Sequence, residues 1–422
     1  MITKLEELVL ANGLKLAINH MDNTHSLAID LFVRAGTVYE DGNTGLTHLL
    51  EHMHFREMTD LTQSQLYYMM ESAGTTLRAM TCKDYLRFYL KVTPKNAEKA
   101  IDIFYDILNT YTWSDAAFNA EKRVVLNEIN EKYESEIDSL STSFVLEGTK
   151  LSETILGDNS TLESIEKKQL EDYKNEIFNV DNMLLCISGN IGFETKKYLT
   201  EKLGELPLRS GSKHTYCVRP EMFGNRGLSI KKLSYESEYI DVDMSFDIPD
   251  SVSHEETDLL NCILGEGVGS RLQRSIREEL GLTNEVCSFI ERYEWVSALH
   301  VRFSVNKSMF ERCLLAVADV ICKMKGEILQ ADLDTSIPFY TDNEEFTYDS
   351  PEESNYLLGY RNFILNKPYS RTSYSTVSKE SLTEAARKVF VPQNMGICIC
   401  GECEKFSSRA LRRMVSGVLN AD

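Results

Sequence analysis

The feature that most constrains this chain is an internal repeat. Phe178, Asn182, Met183, Cys186, Ile187 and Gly189 recur as Phe390, Asn394, Met395, Cys398, Ile399 and Gly401, at a constant offset of 212 residues in a chain of 422. Leu170 and Leu382 continue the match at the same offset. Each copy reads as a helix, a turn carrying Asn, and an apolar strand that ends at Gly. Similarity at a period of half the chain implies one folding unit present twice.

Each half opens on strand-like alternation: Leu14–His20 and Ser26–Arg34 in the first, Glu238–Ile248 in the second. Helical spacing follows at Leu61–Ser72, Asn96–Thr110 and Ser114–Glu134. Strands and helices mixed in this way predict an α+β fold of two homologous α/β-sandwich domains rather than a regularly alternating parallel sheet. The stretch from Pro207 to His214, extending to about Arg226, combines Pro, Gly, Ser and charge. It divides the chain into a first domain at 1–210, a linker at 211–226 and a second domain at 227–422.

Composition removes several classes of function. The longest apolar runs, Met183–Ile187 and Met395–Cys400, have the length of strands, far short of the roughly 20 residues of a membrane helix. The N-terminal residues show no basic segment followed by an apolar one, so no signal peptide is expected, and the expected location is cytoplasmic. A formal charge of −20 opposes binding to a nucleic-acid backbone or an anionic membrane. The ten cysteines, scattered over a long chain, suit reduced thiols. Cys398, Cys400 and Cys403 contain a single CxxC, two of them alternating in a strand-like run, and a structural role is expected for them.

The chemistry concentrates at His48-Leu-Leu-Glu51-His52. On a helix, residues four apart share a face, so His48 and His52 can hold one metal ion together. Glu51 projects beside them, where its carboxylate can take a proton from a water on the metal, the role of the Glu in HExxH enzymes with the motif reversed. A catalytic zinc site needs a third protein ligand and an open fourth position. His54 sits on another helix face, where substrate access or surface exposure suits it better than ligation. His20, His25, His214, His254 and His300 lack ligand spacing and are expected to be structural.

Together these segments resemble the M16 peptidase family of inverted zincins, which includes pitrilysin, insulysin and the mitochondrial processing peptidases. Asn12-Gly-Leu-Lys-Leu resembles the family's opening strand. Ala35-Gly-Thr-Val-Tyr-Glu40, Gly45 to Met53 and Phe55 follow its metal-binding block, and Glu121 to Ile129 its second block. The resemblance implies a duplicated LuxS/MPP-like metallohydrolase fold and one Zn2+ per chain. It makes Glu128, 76 residues past His52, the third ligand and Glu121 a catalytic helper supporting the ligands from behind.

The same resemblance implies substrate contacts and shows departures. The family's substrate strand often reads Asn-Ala-x-Thr and offers its edge to an extended peptide. Here Arg78 stands at the Asn position, while Ala79 and Thr81 match. The second half has no HxxEH. It carries Gly269 to Gly281, which resembles the family's SRL…RE…GL block and, lacking Gly-Lys-Ser/Thr, is no phosphate loop. Relatives use an Arg and, seven residues later, a Tyr from this block to bind substrate. Arg277 fits the Arg, and Asn284, which lacks the reach and acidity of a phenol, occupies the Tyr position. The implied protein is a zinc endopeptidase subunit, bacterial by resemblance, working as a heterodimer with an M16-like partner that supplies the Arg/Tyr pair; a homodimer is less favoured. A ribosomally made precursor peptide or bacteriocin is a substrate class that such relatives process. The competing expectation is a non-catalytic scaffold or a peptide-binding module.

Overall fold

The structure is a computed structural model that describes residues 4–131, 135–216, 227–326, 328–367 and 371–420. The chain forms two compact units. Unit 1 comprises residues 1–133, 153–216 and 344–370, and unit 2 comprises 134–152, 217–343 and 371–422. Each unit therefore draws a segment from the other half of the chain. Residues 217–226 of the expected linker, and 132–134 at the end of the third expected helix, lie outside the described residues.

Unit 1 holds a six-stranded mixed sheet. Its strands are β1 (Lys4–Val9), β2 (Lys15–His20), β3 (Leu27–Val33), β4 (Arg78–Thr81), β5 (Leu86–Val92) and β6 (Met183–Gly189), in the order β1-β2-β6-β3-β5-β4. Unit 2 holds five: β7 (Ser229–Ser234), β8 (Tyr239–Asp247), β9 (Glu285–Arg292), β10 (Ser297–Asn306) and β11 (Met395–Gly401), in the order β7-β11-β8-β10-β9. Apart from the added β1, the two orders are the same. β6 runs parallel to β2 and antiparallel to β3, as β11 does to β7 and β8. The repeat read from the sequence is a repeat of the fold, which is α+β throughout.

The repeated residues sit where the design needs them. Phe178 and Phe390 are fully buried. Asn182 donates to the carbonyl of Ile177 at 2.9 Å, and Asn394 to that of Lys388 at 2.8 Å, so each Asn ties off the helix before its strand. Gly189 (φ +126°) and Gly401 (φ +108°) end the two strands in a backbone conformation that L side chains rarely adopt. A Cβ there would strike the carbonyl oxygens of Ser26 and Tyr239.

The helices of the first half are α1 (Leu46–Arg56), α2 (Gln63–Ala73), α3 (Ala97–Asn109), α4 (Asp115–Glu131), α5 (Glu136–Val145), α6 (Asn159–Ser164), α7 (Lys167–Ile177) and α8 (Phe193–Gly204). Those of the second half are α9 (His254–Asn261), α10 (Phe310–Lys323), α11 (Gln330–Asp349), α12 (Pro351–Tyr356), α13 (Lys379–Val389) and α14 (Ser408–Leu419). α3 shows how they form: Ala100, Ile101, Phe104, Ile107 and Leu108 recur at helical spacing and are all fully buried in the unit 1 core.

Strands alternate their side chains between faces, and both faces of the first sheet are covered. Leu16, Leu31, Val33 and Leu185 point into the core with α1, α3, α7 and α8, whereas Ala17, Phe32, Leu184 and Cys186 meet Leu358, Phe363 and Ile364 of the π-helical stretch Leu357–Ile364. That is why β3 and β6 are buried at every position. No described helix is long and apolar enough to cross a membrane.

Candidate metal centre

The site is built on α1 and α4, which pack together in unit 1. α1 buries Leu46, Leu49, Leu50 and Met53 in the core, and carries the buried His48 together with the half-buried Glu51 and His52 on another side. Its start is held hard. The Glu40 carboxylate accepts the Gly45 N–H at 3.0 Å and the Thr47 N–H at 2.6 Å, and Thr47 Oγ1 lies 2.7 Å from Tyr173 Oη. A carboxylate at a helix N-terminus meets free N–H groups and the positive end of the helix dipole. Burial nevertheless raises the Glu40 carboxyl above its ordinary pKa.

On α4, Glu121, Val125 and Glu128 share one face, and Val125 is fully buried. Glu128 Oε2 lies 3.4 Å from His48 Nε2 and 3.4 Å from His52 Nε2, and the two imidazole rings are 4.6 Å apart. Tetrahedral donors about 2.0–2.1 Å from a common zinc stand roughly 3.3–3.4 Å from one another, so this donor set fits the ion the sequence implies. It is also the one group of three ligand-type side chains able to hold a metal among the described residues. Behind it, Glu121 Oε1 lies 3.0 Å from His52 Nδ1, and Arg56 Nε 4.0 Å from the other Glu121 oxygen. Because Nδ1–H donates to Glu121, the lone pair of His52 lies on Nε2, towards Glu128. The His48 hydrogen bond lowers the Glu128 carboxyl; at His52 burial opposes the charged form, but Glu121, Glu51 and Glu128 outweigh it and raise the ring's pKa.

Glu51 Oε2 stands 4.0 Å from His48 Nδ1 and accepts a hydrogen bond from Thr81 Oγ1 at 2.5 Å. Thr81 ends β4, whose only strand neighbour among the described residues is β5. β4 is thus an edge strand with its outer backbone groups open, and Arg78 at its start is exposed. Ala79 and Thr81 are half-buried.

The structure corrects the expectation for His54. It is fully buried, stacked on Phe178, with Nδ1 donating to the Leu50 carbonyl at 2.8 Å. Its Nε2 accepts from Lys174 Nζ at 3.2 Å, which fixes the ring as neutral. Lys174 is itself fully buried, and its Nζ also donates to the Ile107 carbonyl at 2.9 Å.

In unit 2, Arg277 and Asn284 are both exposed, and Arg277 Nη1 donates to Gln273 Oε1 at 3.5 Å. The helix that follows β8, α9 with its π-helical continuation Cys262–Glu266, buries Leu259, Leu260, Ile263 and Leu264. An apolar face there takes the place of the histidine pair. Cys398, Cys400 and Cys403 are buried free thiols, and Cys403 Sγ donates to the Leu233 and Ile399 carbonyls. Burial pushes the Cys400 thiol up to about 12, so it stays protonated and unreactive at neutral pH.

Helical spacing in the sequence points to His48 and His52 as donors, and the family resemblance adds Glu128 as the third. Sequence reasoning missed Glu40, the Glu51 partner of Thr81 and the burial of His54. The short Ala35–Glu40 block just ahead of α1 was the one available signal for Glu40.

Comparison with known proteins shows the family. Residues 15–159 match the family description "Insulinase (Peptidase family M16)", and residues 164–337 match "Peptidase M16 inactive domain". The chain belongs to the M16 peptidase family. Among curated relatives, an uncharacterized zinc protease of Rickettsia felis is 26% identical over 331 residues, covering 77% of this chain and 79% of that protein. The uncharacterized zinc protease YmxG of Bacillus subtilis is likewise 26% identical, covering 77% and 80%. The mitochondrial-processing peptidase subunit beta of Saccharomyces cerevisiae is 29% identical over 203 residues, 47% of this chain and 44% of that one. Of solved structures, a protease from Helicobacter pylori superposes with a TM-score of 0.82 at 19% identity, covering 95% of this chain and all of that one. The periplasmic protease PqqL from Escherichia coli has a TM-score of 0.82 at 16% identity, covering 99% of this chain and 50% of that one.

Proposed function

We propose that this chain is the zinc-carrying, catalytic subunit of an endopeptidase that cleaves peptides in the bacterial cytoplasm. The observation that carries the reading is the convergence of His48, His52 and Glu128 on one point, with the Glu51 carboxylate beside them and an open strand edge bonded to that carboxylate. Zinc held by these three residues supplies Lewis acidity, polarising a carbonyl and making water more acidic. The protein residues do the rest. An extended peptide adds to the outer edge of β4 through backbone hydrogen bonds, with Arg78 and Ala79 beside it. Glu51 receives the proton of the attacking water and returns it to the leaving amine. Glu121 keeps His52 in the tautomer that leaves Nε2 free for the metal.

Residues 1–210 and 227–422 are read as the two copies of the ancestral unit, joined by 211–226. Asn284 in place of a Tyr supports a partner: an M16-like subunit contributes an Arg/Tyr pair, and Arg277 of this chain is the vestige of its own pair. A precursor peptide is the substrate class we favour, since a partner-dependent site suits a dedicated substrate better than general degradation.

The test is bound zinc and peptide cleavage for the wild type and Glu51→Gln, each with and without candidate partner subunits. The expected result is about one zinc in both proteins, and cleavage only by wild type with its partner. Zinc without Glu51-dependent cleavage in any combination would make the chain a scaffold or a peptide-binding module. Full activity of the purified chain alone would remove the heterodimer.

A further inference from the structure

The Thr81 hydroxyl, where the family pattern suggests a contact to substrate, is engaged elsewhere: it donates to Glu51 Oε2 at 2.5 Å. Glu51 otherwise has three free torsions on an accessible helix face. The nearest cation-forming group is His48 Nδ1, which lies 4.0 Å away towards the same oxygen, Oε2. No protein partner holds Glu51 Oε1 among the described residues, and the side chain keeps 15% of its exposure. One carboxylate oxygen is therefore anchored and the other left open. The anchor comes from a different element, and β4 is in turn fixed to β5 by the pairs Thr81↔Leu86 and Ala79↔Phe88, with Leu86 and Phe88 fully buried.

We propose that Thr81 is a positioning residue for the base: its hydroxyl locks the Glu51 carboxylate so that Oε1 alone faces the reacting water. This deepens the peptidase reading and rests on it. The same strand then has two duties. Its outer backbone edge receives the peptide, and its last side chain holds the base that acts on that peptide, so substrate and base share one rigid frame. A hydrogen bond between a hydroxyl and a carboxylate is strong enough to select one rotamer. Misplacing a reacting group by about 1 Å can cost on the order of 100-fold in rate. A methyl group in place of the hydroxyl keeps the strand and its volume but releases the carboxylate.

The experiment compares zinc-loaded wild type, Thr81→Val and Thr81→Ser, assayed with whatever partner supports wild-type cleavage and crystallised in the zinc-loaded form. Expected for Thr81→Val are full zinc content, kcat lower by roughly 10–100-fold with KM within about threefold, and a Glu51 carboxylate moved or split between rotamers. Thr81→Ser, which keeps the hydroxyl, should restore most of kcat and a single Glu51 position. An unmoved Glu51 in Thr81→Val overturns the proposal whatever the activity. So does a loss confined to KM, which would make Thr81 a substrate contact. A displaced Glu51 in a chain whose wild type never cleaves peptide supports the positioning role and overturns the peptidase reading instead.

Discussion

His52 Nδ1 and Glu121 Oε1 lie 3.0 Å apart, on the side of the ring opposite the Nε2 that faces Glu128. Glu121 thus decides where the His52 lone pair points. Removing that carboxylate leaves the ligands in place but lets the ring rotate and change tautomer. Glu121→Gln is expected to weaken zinc binding by about 10–100-fold, whereas His48→Ala or Glu128→Ala, which delete a donor, should abolish stoichiometric zinc. Competition with a graded series of chelators measures this. An affinity in Glu121→Gln equal to wild type would mean that Glu121 does not support the metal.

The parts of this site that could be read in advance are those whose geometry is local. His48, Glu51 and His52 lie within five residues of one helix, and Glu121 and Glu128 are two turns apart on another, so spacing fixes the relations within each helix, while the meeting of the two helices is what the family resemblance implies. The contacts that need the finished fold could not be read. Thr81 reaches Glu51 across 30 residues, and Lys174 reaches His54 across 120. Nothing in the pattern of residues 136–145 or 351–364 says which sheet they cover, since an amphipathic helix fits any apolar face. Yet in each unit such a segment meets a similar Asp–Arg pair. Asn355 donates to Asp30, which is bound to Arg87. Asp138 pairs with Arg302, which is bound to Asp243. The duplicated Asp–Arg pairs lie on neighbouring strands far apart in sequence, so the 212-residue match, confined to one helix, turn and strand, did not reveal them.

His300, one of the histidines expected to be structural, lies in unit 2 with Nδ1 at 3.1 Å from Asp243 Oδ1, its ring stacked on Phe289 and its Nε2 at 3.5 Å from Glu291 Oε2. Burial alone would favour the neutral ring, but Asp243 and Glu291 outweigh it and push the ring up to about 10. A raised pKa in the folded state stabilises the fold fully below the unfolded value of about 6.5, and that contribution is lost as pH rises towards 10. NMR of the histidine side chains should find this imidazole still charged at pH 8. His300→Gln should cost up to about 3 kcal/mol at pH 7, with the gap to wild type narrowing by pH 10. A ring that titrates near 6.5 would contradict this.

Lys174 presents the opposite sign. Fully buried, with no carboxylate among its hydrogen-bond partners, its amine is driven well below the ordinary lysine range by desolvation. The unfolded chain keeps its proton up to about pH 10.4, so around neutrality unfolding takes up a proton and stability rises with pH. Lys174→Met removes that linkage along with two hydrogen bonds, and the two effects oppose each other. The variant should lie within about 2 kcal/mol of wild type at pH 7, and wild type should gain on it steadily up to pH 10. Denaturant unfolding at several pH values measures the difference, and a gap independent of pH would show that Lys174 is charged in the fold.

Gly359 lies in the π-helical stretch that covers the outer face of the first sheet, directly over Phe32 of β3. A Cβ at this position would overlap the Phe32 ring itself, and that ring is fully buried, packed beside Tyr85 and Tyr356. Neither partner can give way cheaply: the ring is held on all sides, and the helical stretch is fastened by Arg34, whose guanidinium donates to the carbonyls of Phe363 and Ile364 at 2.6 and 2.7 Å. Gly359→Ala is therefore expected to destabilise the protein by about 1–3 kcal/mol through overpacking, even though alanine is the better helix former by up to about 1 kcal/mol. If the clash with the ring is the cause, shortening the ring should relieve it. In a Phe32→Leu background the same alanine should cost less than half as much, a coupling readable from a double-mutant cycle of unfolding free energies. Equal costs in the two backgrounds would place the strain elsewhere in the helical stretch.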